Sequence, residues 1–122
     1  MKHTNFFAAL KTAIIGLRTL WKESRNARIQ MMIFSLVVLI GIFLRIGLKD
    51  WPWILLSGTL VLTLEAVNTS LEQLADLISL DYHPKIKLLK DIAAAAVLMA
   101  SIFAFIMGIF IFTPYLRAFF PL

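Results

Sequence analysis

Residues 54–76 read ILLSGTLVLTLEAVNTSLEQLAD. The first eleven are apolar or neutral, and then Glu65, Asn68, Glu72 and Asp76 arrive with no Pro or Gly to end a helix. One helix therefore carries on from an apolar environment into a polar one. Counted at about 1.5 Å per residue from Trp53, Glu65 lies about 18 Å below the interface of a hydrocarbon core about 30 Å thick, and Glu72 falls near its far edge. The second crossing is accordingly expected over 53–79, with an extension beyond the bilayer.

Working outward, the flanking segments fit the same environment. The chain has 122 residues, 61% hydrophobic and 16% charged, against about 45–50% and about 25% in soluble domains. Residues 29–48 hold a single charge, Arg45, near the end, and read as the first crossing. Lys49 to Trp53 (KDWPW) supply turn residues and aromatic anchors. Pro84 opens the next helix, and Ile92 to Phe112 carry no charge, so the third crossing is expected over 85–112. Ala96, Ala100, Ala104 and Gly108 recur every fourth residue there, a spacing that lets another helix approach closely.

Residues 4–24 read as an amphipathic surface helix. Phe6, Leu10, Ile14, Leu17 and Trp21 share a sector at 100° per residue, with Lys11, Arg18 and Lys22 to one side. The expected fold is thus a single all-α integral membrane domain over 1–122, with three transmembrane helices and an N-terminal surface helix. So short a chain has little interior of its own, which points to a homo-oligomer.

The charge of +5 flanks apolar spans instead of lining a soluble face with exposed aromatics, so anionic lipid headgroups are the expected partner and nucleic acid is not. The first 30 residues hold six Lys or Arg and lack a compact apolar run ending in a small-residue cleavage site, which argues against a removable signal peptide. These six, with Lys85, Lys87 and Lys90, make nine of the twelve basic residues. The amino terminus and the 77–91 loop are therefore expected on the cytoplasmic side. Without cysteine there is no disulfide, thiolate metal site or thiol nucleophile. His3 and His83 lack metal-ligand spacing.

The chemistry sits in the acidic stripe. Spacings of three, four and four place Glu65, Asn68, Glu72 and Asp76 within about 80° on a helix. A carboxylate at the depth of Glu65 costs at least about 2.5 kcal/mol, which a packing role does not repay. Lys87, Lys90 and Asp91 share a face at the start of the third helix. Lys90 suits a structural ion pair with Glu72 or Asp76; several carboxylates beside a lysine equally suit a magnesium–polyphosphate site. No GxxxxGK[ST], GxGxxG or DFG occurs, so a nucleotide would be held by metal, Lys90 and polar side chains.

EAVNTSLEQLAD (65–76), followed after a short loop by HPKIKLLKDIAAAAVLMAS (83–101), closely resembles the prokaryotic diacylglycerol kinase family, which includes the undecaprenol kinases; RNARIQ (25–30) matches as well. The resemblance implies a homotrimer in the bacterial cytoplasmic (inner) membrane that uses Mg-ATP to phosphorylate a lipid hydroxyl. It implies Glu65 as general base, Glu72 as a Mg²⁺ ligand, Asn68 as a polar contact supporting the phosphates and Lys90 as the polyphosphate-binding lysine. Asp76 and Asp91 match positions at the nucleotide end, and Asn26, Arg28 and Gln30 match polar positions in the headgroup region.

The family's second metal-binding Glu, four residues before the Arg matched by Arg28, is Ser24 here, with Glu23 one residue earlier. Either Glu23 takes the role after a 100° adjustment or the metal is held with one carboxylate fewer. Diacylglycerol and undecaprenol both stay open as substrates. A small ion-coupled transporter is the alternative that intramembrane carboxylates also suggest, and a non-enzymatic assembly subunit is a third.

Overall fold

Among the described residues four helices follow one another: α1 (Phe6–Glu23), α2 (Arg25–Phe43), α3 (Trp51–Ile78) and α4 (Pro84–Phe119). The structure, a computed structural model, describes residues 5–121. Thr4, with which the expected surface helix begins, and His3 lie outside the described residues. Three of the helices, α2, α3 and α4, are long and apolar enough to cross a membrane. Most of their large side chains are exposed on the single chain, Leu39, Phe43, Phe105 and Phe110 among them. In water that surface would drive aggregation; in lipid it is at equilibrium, and the chain is an integral membrane protein.

One residue joins α1 to α2. Ser24 has extended backbone (φ −103°, ψ 111°), its N–H donates to the Leu20 carbonyl, and its hydroxyl accepts from the Ala27 N–H at 3.0 Å. It thus closes one helix and caps the next. Arg28 folds back, its Nη1 donating to the carbonyls of Trp21 at 2.8 Å and Lys22 at 2.9 Å. Those oxygens belong to the last turn of α1, where a cation is favoured. Because Ser24 caps it, α2 starts four residues before the expected 29–48 crossing.

The crossing also ends earlier. The N–H of Ile46 reaches the Gly41 carbonyl and that of Arg45 reaches Ile42, both at 3.1 Å, while Arg45 adopts φ 53°. This is a Schellman stop with Arg where Gly is usual. Leu44, Ile46 and Leu48, apolar enough to be counted into the span, therefore lie in the connecting loop. Ile46 folds back and is buried with Ile54 and Ile111. Gly41 leaves room for this: a Cβ there would sit 3.1 Å from the Trp51 ring and 3.2 Å from Ile46.

Pro52 stands in the first turn of α3, where its missing N–H costs nothing. Phe34 of α2 lies directly over Gly58 of α3, so that any Cβ on Gly58 would collide with the ring. α3 and α4 form the most extensive pairing, burying Ala93, Val97 and Ala100 on α4. Ala96 and Ala104 are half-buried, whereas a Cβ on Gly108 would meet open space. Gly108 borders a cavity of about 560 Å³ between α2, α3 and α4, lined among others by Phe34, Val37, Val61 and Ala104, with Gln30 on its wall. α4 runs seven residues beyond the expected 85–112, past Pro114, and brings Tyr115 against the α2–α3 loop. There the Tyr115 hydroxyl donates to Asp50 Oδ2 at 2.6 Å and accepts from the Gly47 N–H at 2.9 Å.

Candidate active site

Among the described residues Glu65 is the most deeply buried charged one, only 3% exposed. The Ser24 hydroxyl donates to its Oε1 at 3.1 Å, and Gln30 Nε2 donates to its Oε2 at 3.4 Å. Both donors are neutral, and among the described residues no Lys or Arg lies within ion-pair distance of the carboxylate. Hydrogen bonds without a counter-charge leave such a group able to accept a further proton donor.

One turn along α3, Asn68 is 5% exposed and its Nδ2 donates to Glu72 Oε1 at 3.3 Å. Glu72 itself is exposed. Among the described residues, two buried amide oxygens, Asn68 Oδ1 and Gln30 Oε1, have no hydrogen-bond partner. An orphaned buried acceptor costs about 1–3 kcal/mol, so both oxygens favour a donor or a cation arriving from outside the chain.

Further along, Lys90 Nζ meets Asp76 Oδ1 at 2.6 Å, joining α3 to α4, with both side chains partly exposed. The ion-pair expectation for Lys90 therefore takes Asp76 as partner and leaves Glu72 free of it. Exposed pairs are worth about 0–1 kcal/mol, so Lys90 is readily released to a stronger anion. Asp91 turns elsewhere and pairs with Lys87 at 2.6 Å along the same helix. Glu23 and Asn26 are exposed, with no side-chain hydrogen bond among the described residues. Gln30 faces Glu65, and Arg28 clamps the α1–α2 joint; neither is spread over the surface as headgroup contact alone would have it. The sequence carried a sign of Ser24: a Ser just before an apolar run is an N-cap signal. Its contact with Glu65, 41 residues away, has no local signature.

The geometry thus groups Ser24, Gln30, Glu65, Asn68 and Glu72, with Asp76 and Lys90 one to two turns beyond. A sequence profile described as prokaryotic diacylglycerol kinase matches residues 11–112, which includes all of them. The chain belongs to the prokaryotic diacylglycerol kinase family. It is 31% identical over 109 residues to an undecaprenol kinase of Bacillus subtilis, covering 89% of each chain. It is 30% identical over 110 residues to a diacylglycerol kinase of Helicobacter pylori strain J99, covering 89% of this chain and 86% of that one. A diacylglycerol kinase of Synechocystis is 33% identical over 105 residues, covering 85% and 60%. Membership in this family makes the protein a lipid kinase and lends no support to the transporter or the assembly subunit.

Proposed function

We propose that the protein transfers the terminal phosphoryl group of Mg-ATP to the hydroxyl of diacylglycerol or undecaprenol, with Glu65 as general base. The observation that carries this reading is a buried carboxylate held, among the described residues, by neutral donors alone, two helical turns from a second carboxylate that is exposed. The lipid hydroxyl donates to Glu65. As its oxygen bonds to the terminal phosphorus, the proton passes to the carboxylate and the bond to the leaving ADP oxygen breaks. Such transfer has a loose transition state, so positioning and charge stabilisation do most of the work.

The residues at hand fit a magnesium ion bound mainly through phosphate. Mg²⁺ takes one or two carboxylates together with phosphate oxygens and water. Among the described residues no three of His, Cys, Asp and Glu converge on a metal position. Glu72 is the accessible carboxylate, and the unpartnered Asn68 Oδ1 beside it is a further oxygen donor. When bound there, the ion would neutralise developing phosphate charge. Lys90 would leave Asp76 to bind polyphosphate, with Asp76 and Asp91 bordering the nucleotide. Glu23, exposed at the end of α1, would serve as a second carboxylate ligand, or the ion would be held with one carboxylate fewer.

The same reading makes α1 an amphipathic helix lying on the cytoplasmic face of the bacterial inner membrane, with the α3–α4 loop on that side. It also makes the working unit a homotrimer, which the exposed apolar flanks and the cavity beside Gly108 support. The test offers diacylglycerol and undecaprenol in parallel to purified protein in phospholipid vesicles with labelled Mg-ATP. Phosphorylation of either is expected, with loss on chelating magnesium; absence of transfer to both would reject the reading.

A further inference from the structure

We propose that Ser24 is a positioning residue for the phosphoryl-transfer step: the one hydroxyl that caps α2 also fixes the orientation of the Glu65 carboxylate. This rests on the reading of Glu65 as base.

A serine hydroxyl has one proton and two lone pairs. At Ser24 a lone pair is taken by the Ala27 N–H at 3.0 Å, and this sets the rotor so that the proton points to Glu65 Oε1 at 3.1 Å. Ala27 is fully buried, and Arg28 ties the carbonyls of Trp21 and Lys22, so the joint carrying the hydroxyl is held on both sides. Gln30, from the next turn of α2, holds the other carboxylate oxygen. The last torsion of a glutamate is soft, with broad minima. Two donors on opposite oxygens remove that freedom, since the carboxylate plane cannot turn without breaking one bond. A base aimed at one lone-pair direction must be held in that way, because small misplacements of reacting groups cost rate steeply. Ser24 itself touches neither nucleotide nor metal under this account, and it acts only through Glu65.

Three variants in phospholipid vesicles separate the proton from the cap. Glycine serves almost as well as serine at a helix N-cap, so Ser24→Gly removes the proton while keeping the helix start. Ser24→Ala removes both, and Ser24→Thr keeps both. With diacylglycerol and with undecaprenol as acceptors, Ser24→Gly and Ser24→Ala are expected to lower kcat roughly 10- to 100-fold. KM for Mg-ATP should stay within about twofold, because uniform nucleotide binding is untouched. Ser24→Thr should restore most of the turnover. Parental turnover in the Gly and Ala variants would overturn the proposal. So would a loss equally deep in Ser24→Thr, or a loss that appears in KM for Mg-ATP. Glu65→Gln in the same assay keeps the two claims apart: turnover retained there sinks the base itself, whereas turnover lost there beside a fully active Ser24→Ala leaves the base and removes the positioning role.

Discussion

Two hydroxyls in this bundle do the same job with opposite outcomes. At one end, Tyr115 accepts from the Gly47 N–H and donates to Asp50; at the other, Ser24 accepts from the Ala27 N–H and donates to Glu65. The Tyr115 bond to its carboxylate is short, 2.6 Å, and its surroundings are half-exposed. The Ser24 bond is 3.1 Å, its carboxylate is buried, and two amide oxygens nearby go unpaired. A satisfied network stabilises what it joins, and one left short of partners is a place where something else binds. The first is a latch on the α2–α3 loop, and the second is a prepared site.

The deepest test of this contrast removes the charge at each end. Glu65→Gln should lower turnover by roughly 10²–10⁴, the range of general base catalysis, whereas Asp50→Asn should leave turnover near the parental rate in the same vesicle assay. Next comes the contact that sets the α2–α3 crossing on which both networks depend. Gly58→Ala drives a methyl into the Phe34 ring and should destabilise the fold by about 1–3 kcal/mol, as overpacking does, read as an earlier midpoint in denaturing-detergent titration. Tyr115→Phe leaves the Gly47 N–H and Asp50 without their shared partner. It should cost about 1–2 kcal/mol in the same titration with kcat and KM unchanged; a fall in kcat would erase the distinction between latch and site. The smallest effect is expected at the loop itself. Arg45→Gly relieves a left-handed backbone at the expense of a freer unfolded chain, a net gain below about 1 kcal/mol.

The spans are legible because hydropathy is a property of neighbours in the chain: the uncharged run to Phe112 can be read directly, as can a break before the second crossing, although of KDWPW only Lys49 and Asp50 lie in the loop and Trp51 to Trp53 already stand in α3. The stopping points are not. Arg45 is a poor candidate for a left-handed stop, so the apolar run to Leu48 conceals the end of α2. Conversely, Pro114 looks like a terminator yet stands inside α4. The candidate site divides in the same way. Glu65, Asn68, Glu72 and Asp76 lie on one helix and their spacing can be counted. How Ser24 and Gln30 meet Glu65 depends on the rotation of α2 about its own axis, which is set by Phe34 on Gly58 and by the Arg28 clamp. Tertiary packing decides that rotation, and no short window of residues records it. Family resemblance points to Ser24 as a missing acid; in the fold its hydroxyl is already in use.

The single-residue joint between α1 and α2 has a mechanical side. An 18-residue helix is a lever about 27 Å long, pivoting where Ser24 grips Glu65. Jostling that displaces its free tip by roughly 3 Å reaches the pivot as a turn of only about 6°. The arm most open to disturbance by surrounding molecules is thus geared down before its motion arrives at the buried acid.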